Sequence, residues 1–119
     1  MKKIAIIMFA FILLPILSAH SIERYGAGIK RDAPAVKVRD VMYNPAMNGR
    51  VVNLEGTVAM QCGNGCWFLL YDDTGLVFIN LQVNNFKIPP ARGKRVKVTG
   101  LVQRNNQIVQ IVASGVEVR

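Results

Sequence analysis

A chain of 119 residues has room for a single domain. Its 15 Lys and Arg residues exceed its 7 Asp and Glu residues, so the formal net charge is +8. Such a surplus is compatible with nucleic acid, anionic lipid or an acidic protein as partner, and equally with a role in solubility. One histidine, no G-x-S-x-G sequence and no phosphate-cradling glycine loop give little support for catalysis, so we do not expect an enzyme.

Residues 1–21 have the pattern of a cleaved secretory signal peptide. Two lysines precede an apolar run over residues 4–17, and small residues follow it, so cleavage is expected after Ala19 or Ser21. The run has about fourteen residues whereas a membrane span needs roughly 20, so we expect no stable membrane anchor. The absence of a nearby cysteine excludes a lipoprotein anchor. The sequence therefore predicts a protein of the bacterial periplasm.

The next segment, residues 22–35, is polar and contains glycine without apolar periodicity, which predicts a flexible lead-in. Residues 36–42 indicate a short strand or a helical turn. Asn44-Pro45 ends this element, because proline restricts the residue before it. We therefore expect the folded domain to span residues 36–119.

Five stretches of this domain are predicted strands: residues 52–60, 67–71, 77–83, 96–102 and 107–118. Most show the alternation of apolar residues that is typical of half-buried strands. The third and fourth are separated by an irregular crossing that contains Pro89-Pro90, a pair that cannot lie inside a central strand. Five strands with one longer connection at this point form an OB barrel, so we predict an all-β fold, a five-stranded OB-type barrel. An open sheet or a sandwich is the alternative. The residues predicted to point into the barrel include Val52, Leu54, Val58, Val77, Ile79, Val96 and Val98.

A compact group of reactive side chains lies in residues 60–67, which read Met-Gln-Cys-Gly-Asn-Gly-Cys-Trp. Gly-Asn-Gly between two strands predicts a hairpin, and a three-residue loop would place Cys62 opposite Cys66, with Cβ atoms about 4.5–5.5 Å apart. Such a pair can form a disulfide, which an oxidising compartment favours, or hold one soft metal ion. Met60 shares the parity of Cys62 and is expected to point inwards, as a third ligand or as core filler.

A disulfide in this position would close so short a loop that it contributes only about 2 kcal/mol, so the pair is also a candidate working dithiol. Thiol oxidoreductases, however, usually place C-x-x-C at the start of a helix, whose dipole lowers the pKa of the attacking thiol. A hairpin tip has no such dipole. The spacing therefore argues against a redox enzyme.

The Asn44-Pro45 lead-in and the following Val-Asn-Leu-Glu-Gly-Thr-Val of residues 52–58 resemble the opening of bacterial periplasmic OB-fold families. Cys66-Trp67 and the Gly-Lys-Arg-Val-Lys-Val-Thr-Gly of residues 93–100 continue the match. In this context the C-x-x-x-C segment resembles the small periplasmic proteins encoded beside cytochrome c nitrite reductase. The resemblance implies a copper-related role carried by Cys62 and Cys66, and a periplasmic redox or metalloenzyme partner.

A second hypothesis is a nucleic-acid or other anionic-ligand site with a structural Cys62–Cys66 disulfide. OB barrels bind oligonucleotides on their second and third strands, through exposed aromatic side chains beside a basic groove. The candidates are Trp67, Tyr71 and Phe78 with Lys94, Arg95 and Lys97. The aromatic side chains can equally pack in or near the barrel. The periplasm contains little nucleic acid, which disfavours nucleic acid as the partner.

Overall fold

The alternating residues of the second half of the chain form strands that wrap around one apolar core. The structure, a computed structural model, describes residues 21–119; the predicted signal peptide lies in residues outside this range except for Ser21. The elements are β1 (Glu23–Gly26), α1 (Val38–Tyr43), a 3-10 turn (Pro45–Met47), β2 (Val51–Gln61), β3 (Trp67–Asp72), β4 (Gly75–Asn80), β5 (Arg95–Asn105) and β6 (Ile108–Val118).

Strands β2 to β6 form a closed barrel. The order around the sheet is β6, β4, β3, β2 and β5, and β5 pairs back onto β6. The pairing of β4 with β6 is parallel, whereas the pairs along β3–β4, β2–β3, β2–β5 and β5–β6 are antiparallel. This is the predicted five-stranded OB-type barrel, and the prediction of an all-β fold with a short N-terminal lead-in is confirmed.

The core contains all the residues predicted to point inwards. Val52, Val96 and Val98 are fully buried, and the other four predicted core residues are at most 2% exposed. Burying each such side chain stabilises the fold by about 1.5–3 kcal/mol. Gly56 and Gly100 lie where neighbouring strands leave no room for a side chain. A Cβ atom on Gly56 would overlap Tyr71 O, and one on Gly100 would overlap the Ile111 side chain.

The lead-in contains regular structure that the sequence pattern does not reveal. β1 pairs antiparallel with the end of β6, with Glu23 opposite Val118 and Gly26 opposite Gly115. This pairing uses backbone groups, and three of the four β1 residues are exposed, so no apolar alternation marks the strand. The side-chain amide of Asn53 donates to Lys30 O at 2.8 Å and to Ala33 O at 3.1 Å, which fixes the rest of the lead-in.

The helix α1 resolves the choice left open for residues 36–42. Val38 and Val41 are buried against the barrel. Asp72, at the end of β3, accepts a hydrogen bond from Val38 N at 2.9 Å and so ties the helix to the β3–β4 turn. Within residues 21–119, no helix has the length and apolarity needed to cross a membrane.

Candidate thiol site and aromatic face

A β-bulge in β2 decides which way the residues near the thiol site point. Val58 pairs with Leu70, but Met60 pairs with Leu69, so Ala59 is an extra residue in β2. The parity of the strand changes at this point. Met60, predicted to point inwards, therefore points outwards and is 50% exposed.

The bulge also changes the hairpin. Because the register is shifted, Cys62 N donates to Trp67 O at 3.0 Å, and Cys62 faces Trp67 instead of Cys66. The loop consists of four residues, 63–66, where the sequence predicts three. Gly65 N donates to Cys62 O at 2.8 Å and closes a turn that folds Cys66 back. The two Sγ atoms still meet, at a separation of 2.8 Å, and both cysteines are half-buried and not bonded to each other.

The crossing between β4 and β5 supports the loop from behind. Ile88 N donates to Gly65 O at 3.2 Å, and Leu81 N donates to Cys66 O at 3.1 Å. Gly65 has φ of +75°, and a Cβ atom there would overlap the carbonyl oxygen of Ile88. Only glycine satisfies both conditions without strain, since other residues rarely adopt this backbone conformation.

The two thiols are electrostatically different. The hydrogen bond from the Cys66 thiol is the main cause that lowers the pKa of Cys62, and the backbone amides of Asn64, Cys66 and Gly65 add to it. The same hydrogen bond, followed by burial and the negative charge of Cys62, raises the pKa of Cys66, although Lys87 opposes this rise.

Two grooves open beside the pair, one at each sulfur. The groove at Cys62 has a volume of about 550 Å³ and is bordered by Pro89, Pro90 and Arg92. The groove at Cys66 has a volume of about 280 Å³, and Lys87 borders both. Sequence reasoning missed Lys87, because its position follows from the Ile88–Gly65 hydrogen bond, which no periodicity encodes.

The two sulfur atoms are the donors of this loop that could hold a soft metal ion. Two sulfur ligands suit Cu(I), whereas structural zinc sites use four nitrogen or sulfur ligands. In the part of the chain that the structure describes, no three His, Cys, Asp or Glu residues are grouped so that they could hold a metal ion. Met60 lies two residues before Cys62 but borders neither groove.

The predicted aromatic residues share the outer surface of β3 and β4. The rings of Trp67 and Phe78 are tilted against each other with centroids 5.4 Å apart. Tyr71 pairs with Leu76 on the same two strands, and these side chains are 51% and 47% exposed. We call this surface, formed by Trp67, Leu69, Tyr71, Leu76 and Phe78, the aromatic face.

The predicted basic residues are not gathered on this face. Arg95 on β5 is opposite Thr57 on β2, and Thr57 is opposite Tyr71 on β3. The guanidinium of Arg95, however, is 3.5 Å from the carboxylate of Glu55 and forms an ion pair with it. Lys97 on β5 is opposite Glu55 on β2 and opposite Glu117 on β6. Lys94 is exposed in the turn before β5. The structure therefore brings the aromatic residues together and separates most of the positive charge from them.

No protein-family model matches this sequence, and no curated protein matches it. Among solved structures, the chain is similar to a hypothetical protein, ygiW, of E. coli, with a TM-score of 0.60 and 12% identity over 73% of this chain and 91% of that chain. It is also similar to the Stn1-Ten1 complex of S. pombe, with a TM-score of 0.50 and 17% identity over 68% of this chain and 72% of that chain.

A third similar structure is asparaginyl-tRNA synthetase from Pyrococcus horikoshii, with a TM-score of 0.55 and 24% identity. The match covers 70% of this chain but only 22% of the synthetase. At these identities the likeness concerns the fold alone. The barrel topology and these structural matches together show that this chain is an OB-fold protein.

Proposed function

We propose that this protein is a periplasmic OB-fold binding protein that holds Cu(I) between Cys62 and Cys66. The observation that carries the proposal is the convergence of two sulfur atoms, 2.8 Å apart, in a half-exposed loop. Thiolates are soft ligands and favour Cu(I) among the metals of the cell envelope. The periplasmic location rests on the sequence pattern of residues 1–21.

The surroundings of the pair support a bound metal. A Cu(I) ion held by two thiolates carries a net negative charge, which positive side chains nearby would stabilise. Lys87 and Arg92 border the grooves at the pair, and neither forms an ion pair with a described residue. Both cysteines are accessible enough for exchange of the ion with a redox or metalloenzyme partner.

Anaerobic titration of the reduced protein with Cu(I), against a competing chelator, tests the proposal. We expect about one Cu(I) per chain, bound far more tightly than Zn(II). Cys62→Ser and Cys66→Ser should each weaken binding by about 100-fold or more, because removal of even an indirect partner of a metal ligand costs about 10–100-fold. Met60→Leu, on the outer surface, is the matched control and should change the affinity much less.

Two results would refute the metal site. One is a double serine variant that retains the full Cu(I) affinity. The other is Zn(II) binding as tight as that of Cu(I), which the two-sulfur donor set does not support.

The aromatic face supports a second candidate, a single-stranded nucleic acid. It lies on the strands with which OB barrels bind oligonucleotides, and Trp67 and Phe78 offer ring surfaces on which bases could stack. Two of the similar structures are a tRNA synthetase and the Stn1-Ten1 complex. The separation of Lys97 and Lys94 from this face weakens the candidate.

Fluorescence of Trp67, the single tryptophan of the chain, provides the assay. Nucleic-acid binding predicts quenching by single-stranded oligonucleotides, with an affinity that falls steeply as salt rises. Phe78→Ala should reduce the affinity. Tyr43→Ala, which removes an exposed aromatic side chain at the end of α1, is the control and should leave the affinity unchanged. Absence of quenching at low ionic strength would exclude this candidate.

A further inference from the structure

The two sulfur atoms are placed so that a bond between them can form with little movement. Cys62 Sγ and Cys66 Sγ are 2.8 Å apart, and a disulfide bond of about 2.05 Å requires them to approach by less than about 1 Å. The turn closed by Gly65 N and Cys62 O keeps the two backbones together as the side chains move. The loop can therefore open and close an S–S bond without unpairing β2 and β3.

The surroundings of the two sulfurs assign them different roles. Both cationic side chains near the pair, Lys87 and Arg92, border the groove at Cys62, whereas only Lys87 borders the groove at Cys66. Positive side chains stabilise the negative charge of an attacking thiolate. Cys62 also borders the larger groove, where an incoming molecule has room. Cys66 borders the smaller groove, and its sulfur is 2.8 Å from that of Cys62.

The charge of the grooves selects the kind of molecule that can approach. Lys87 and Arg92 border the groove at Cys62, and none of the described residues that line either groove is acidic. The wall of the larger groove is braced, because the Gln61 side chain accepts from Ala91 N at 2.7 Å and donates to Pro89 O at 3.0 Å. A positively charged groove of fixed shape favours a partner with negative charge beside its reactive bond.

We propose that Cys62 and Cys66 carry out thiol–disulfide exchange with a disulfide flanked by acidic groups. Cys62, having released its proton to solvent, attacks one sulfur of that disulfide, forms a mixed disulfide and expels the other sulfur as a thiolate. Cys66 then loses its proton to the solvent and attacks the sulfur of Cys62, which closes the Cys62–Cys66 bond and releases the second thiolate of the partner. The cysteine pair is oxidised by two electrons and the partner disulfide is reduced by two.

This exchange does not require a bound metal ion. The sequence argues against a redox role because a hairpin tip lacks the dipole of a helix start. In the structure, Lys87 and Arg92 supply positive charge beside Cys62 instead. The reason for excluding the chemistry therefore does not apply to this loop.

Small disulfides of opposite charge test the proposal in the presence of a metal chelator. With oxidised glutathione, which is negatively charged, Cys66→Ser should accumulate one glutathione adduct on Cys62, measured by mass spectrometry. The unsubstituted protein should pass through this adduct, form the internal disulfide and release two molecules of reduced glutathione per chain. Cys62→Ser should react about 10-fold more slowly, because Cys66 borders the smaller groove, which Lys87 lines but Arg92 does not.

The charge of the groove is tested by comparison with cystamine, which is positively charged. The double variant Lys87→Gln, Arg92→Gln should react about 10-fold more slowly with oxidised glutathione and faster with cystamine. The control variant Lys94→Gln, Lys97→Gln removes the same charge outside the two grooves and should leave both rates nearly unchanged.

Equal rates for Cys62→Ser and Cys66→Ser would overturn the assignment of roles, and a reaction of the unsubstituted protein that stops at the mixed disulfide would overturn the exchange itself. An equal effect of the two double charge variants would overturn the choice of an acidic partner. Since no copper is present in these assays, none of these results depends on whether the protein binds Cu(I).

Discussion

Replacement of Gly65 by alanine tests whether the thiol loop is held as the structure describes. Its φ of +75° costs a residue with a Cβ atom about 1–2 kcal/mol. The added Cβ would also overlap Ile88 O, so the crossing must move and the Ile88 N to Gly65 O hydrogen bond, 3.2 Å long, is lost. That bond contributes about 1 kcal/mol. We therefore expect Gly65→Ala to lower the free energy of unfolding by about 2–3 kcal/mol.

The same loop contains its own control. Gly63 has no atom within 4 Å of a Cβ built on it, and its φ is not positive. Both substitutions restrict the unfolded chain equally, an effect of about 0.4–1 kcal/mol that cancels when the two variants are compared. Urea unfolding of the reduced proteins gives the difference directly. For a domain of this size, about 2–3 kcal/mol corresponds to a Tm lowered by about 10–20 °C.

A small difference would contradict the reasoning. If Gly65→Ala and Gly63→Ala unfold within about 0.5 kcal/mol of each other, the loop does not press against the crossing. The hydrogen bonds from Ile88 N and Leu81 N to the loop would then not fix the position of Cys66 or the groove bordered by Lys87.

Two further predictions concern the barrel. Burial opposes the ionisation of Asp72, but hydrogen bonds from the Thr74 hydroxyl and from the amides of Val38, Thr74 and Gly75 outweigh it and lower the pKa of Asp72. Asp72→Asn should therefore lower the free energy of unfolding by about 2 kcal/mol at pH 7. Urea unfolding across pH should show that the two proteins differ less in this free energy as the pH falls below about 4, where the carboxylate of Asp72 becomes protonated. Val98→Asp places an unpaired carboxylate in the core and should abolish the folded state, seen by circular dichroism; a folded variant would contradict the barrel register.

The barrel could be predicted from sequence because alternation is a local signal. The inward residues of β2 before the bulge and of β5 are apolar or glycine and their neighbours are mostly polar, so the period and direction of these strands can be identified without knowing what each strand pairs with. The bulge at Ala59 leaves no such trace. Val58 and Met60 are both apolar at the same parity, and only the pairing with Leu69 and Leu70 shows that the strand changes face between them.

The remaining errors have the same origin in long-range pairing. β1 is held by backbone hydrogen bonds to β6, whose paired residues lie 89 to 95 positions further along the chain, and its mostly exposed side chains carry no pattern. Arg95 and Lys97 form a basic run in the sequence, but the register places Lys97 opposite Glu55, and the Arg95 guanidinium lies 3.5 Å from the carboxylate of the same Glu55. Lys87, absent from the sequence prediction, reaches the thiols because the crossing is bonded to the loop.

The two proposed chemistries of the cysteine pair exclude each other at any moment, since a sulfur bonded in a disulfide is not a thiolate ligand. In an oxidising compartment, a pair that closes with so little movement remains open only while a metal ion or a reducing partner protects it. The chemistries differ in how they use the two sulfurs. A metal ion needs both, so the two single serine variants should lose Cu(I) affinity alike, whereas exchange begins at Cys62 and only Cys66→Ser retains the full rate of the first step. Lys87 and Arg92 serve both, because a copper dithiolate and an acidic disulfide present negative charge to the same groove. The symmetry of the two serine variants is therefore the property that separates metal binding from exchange.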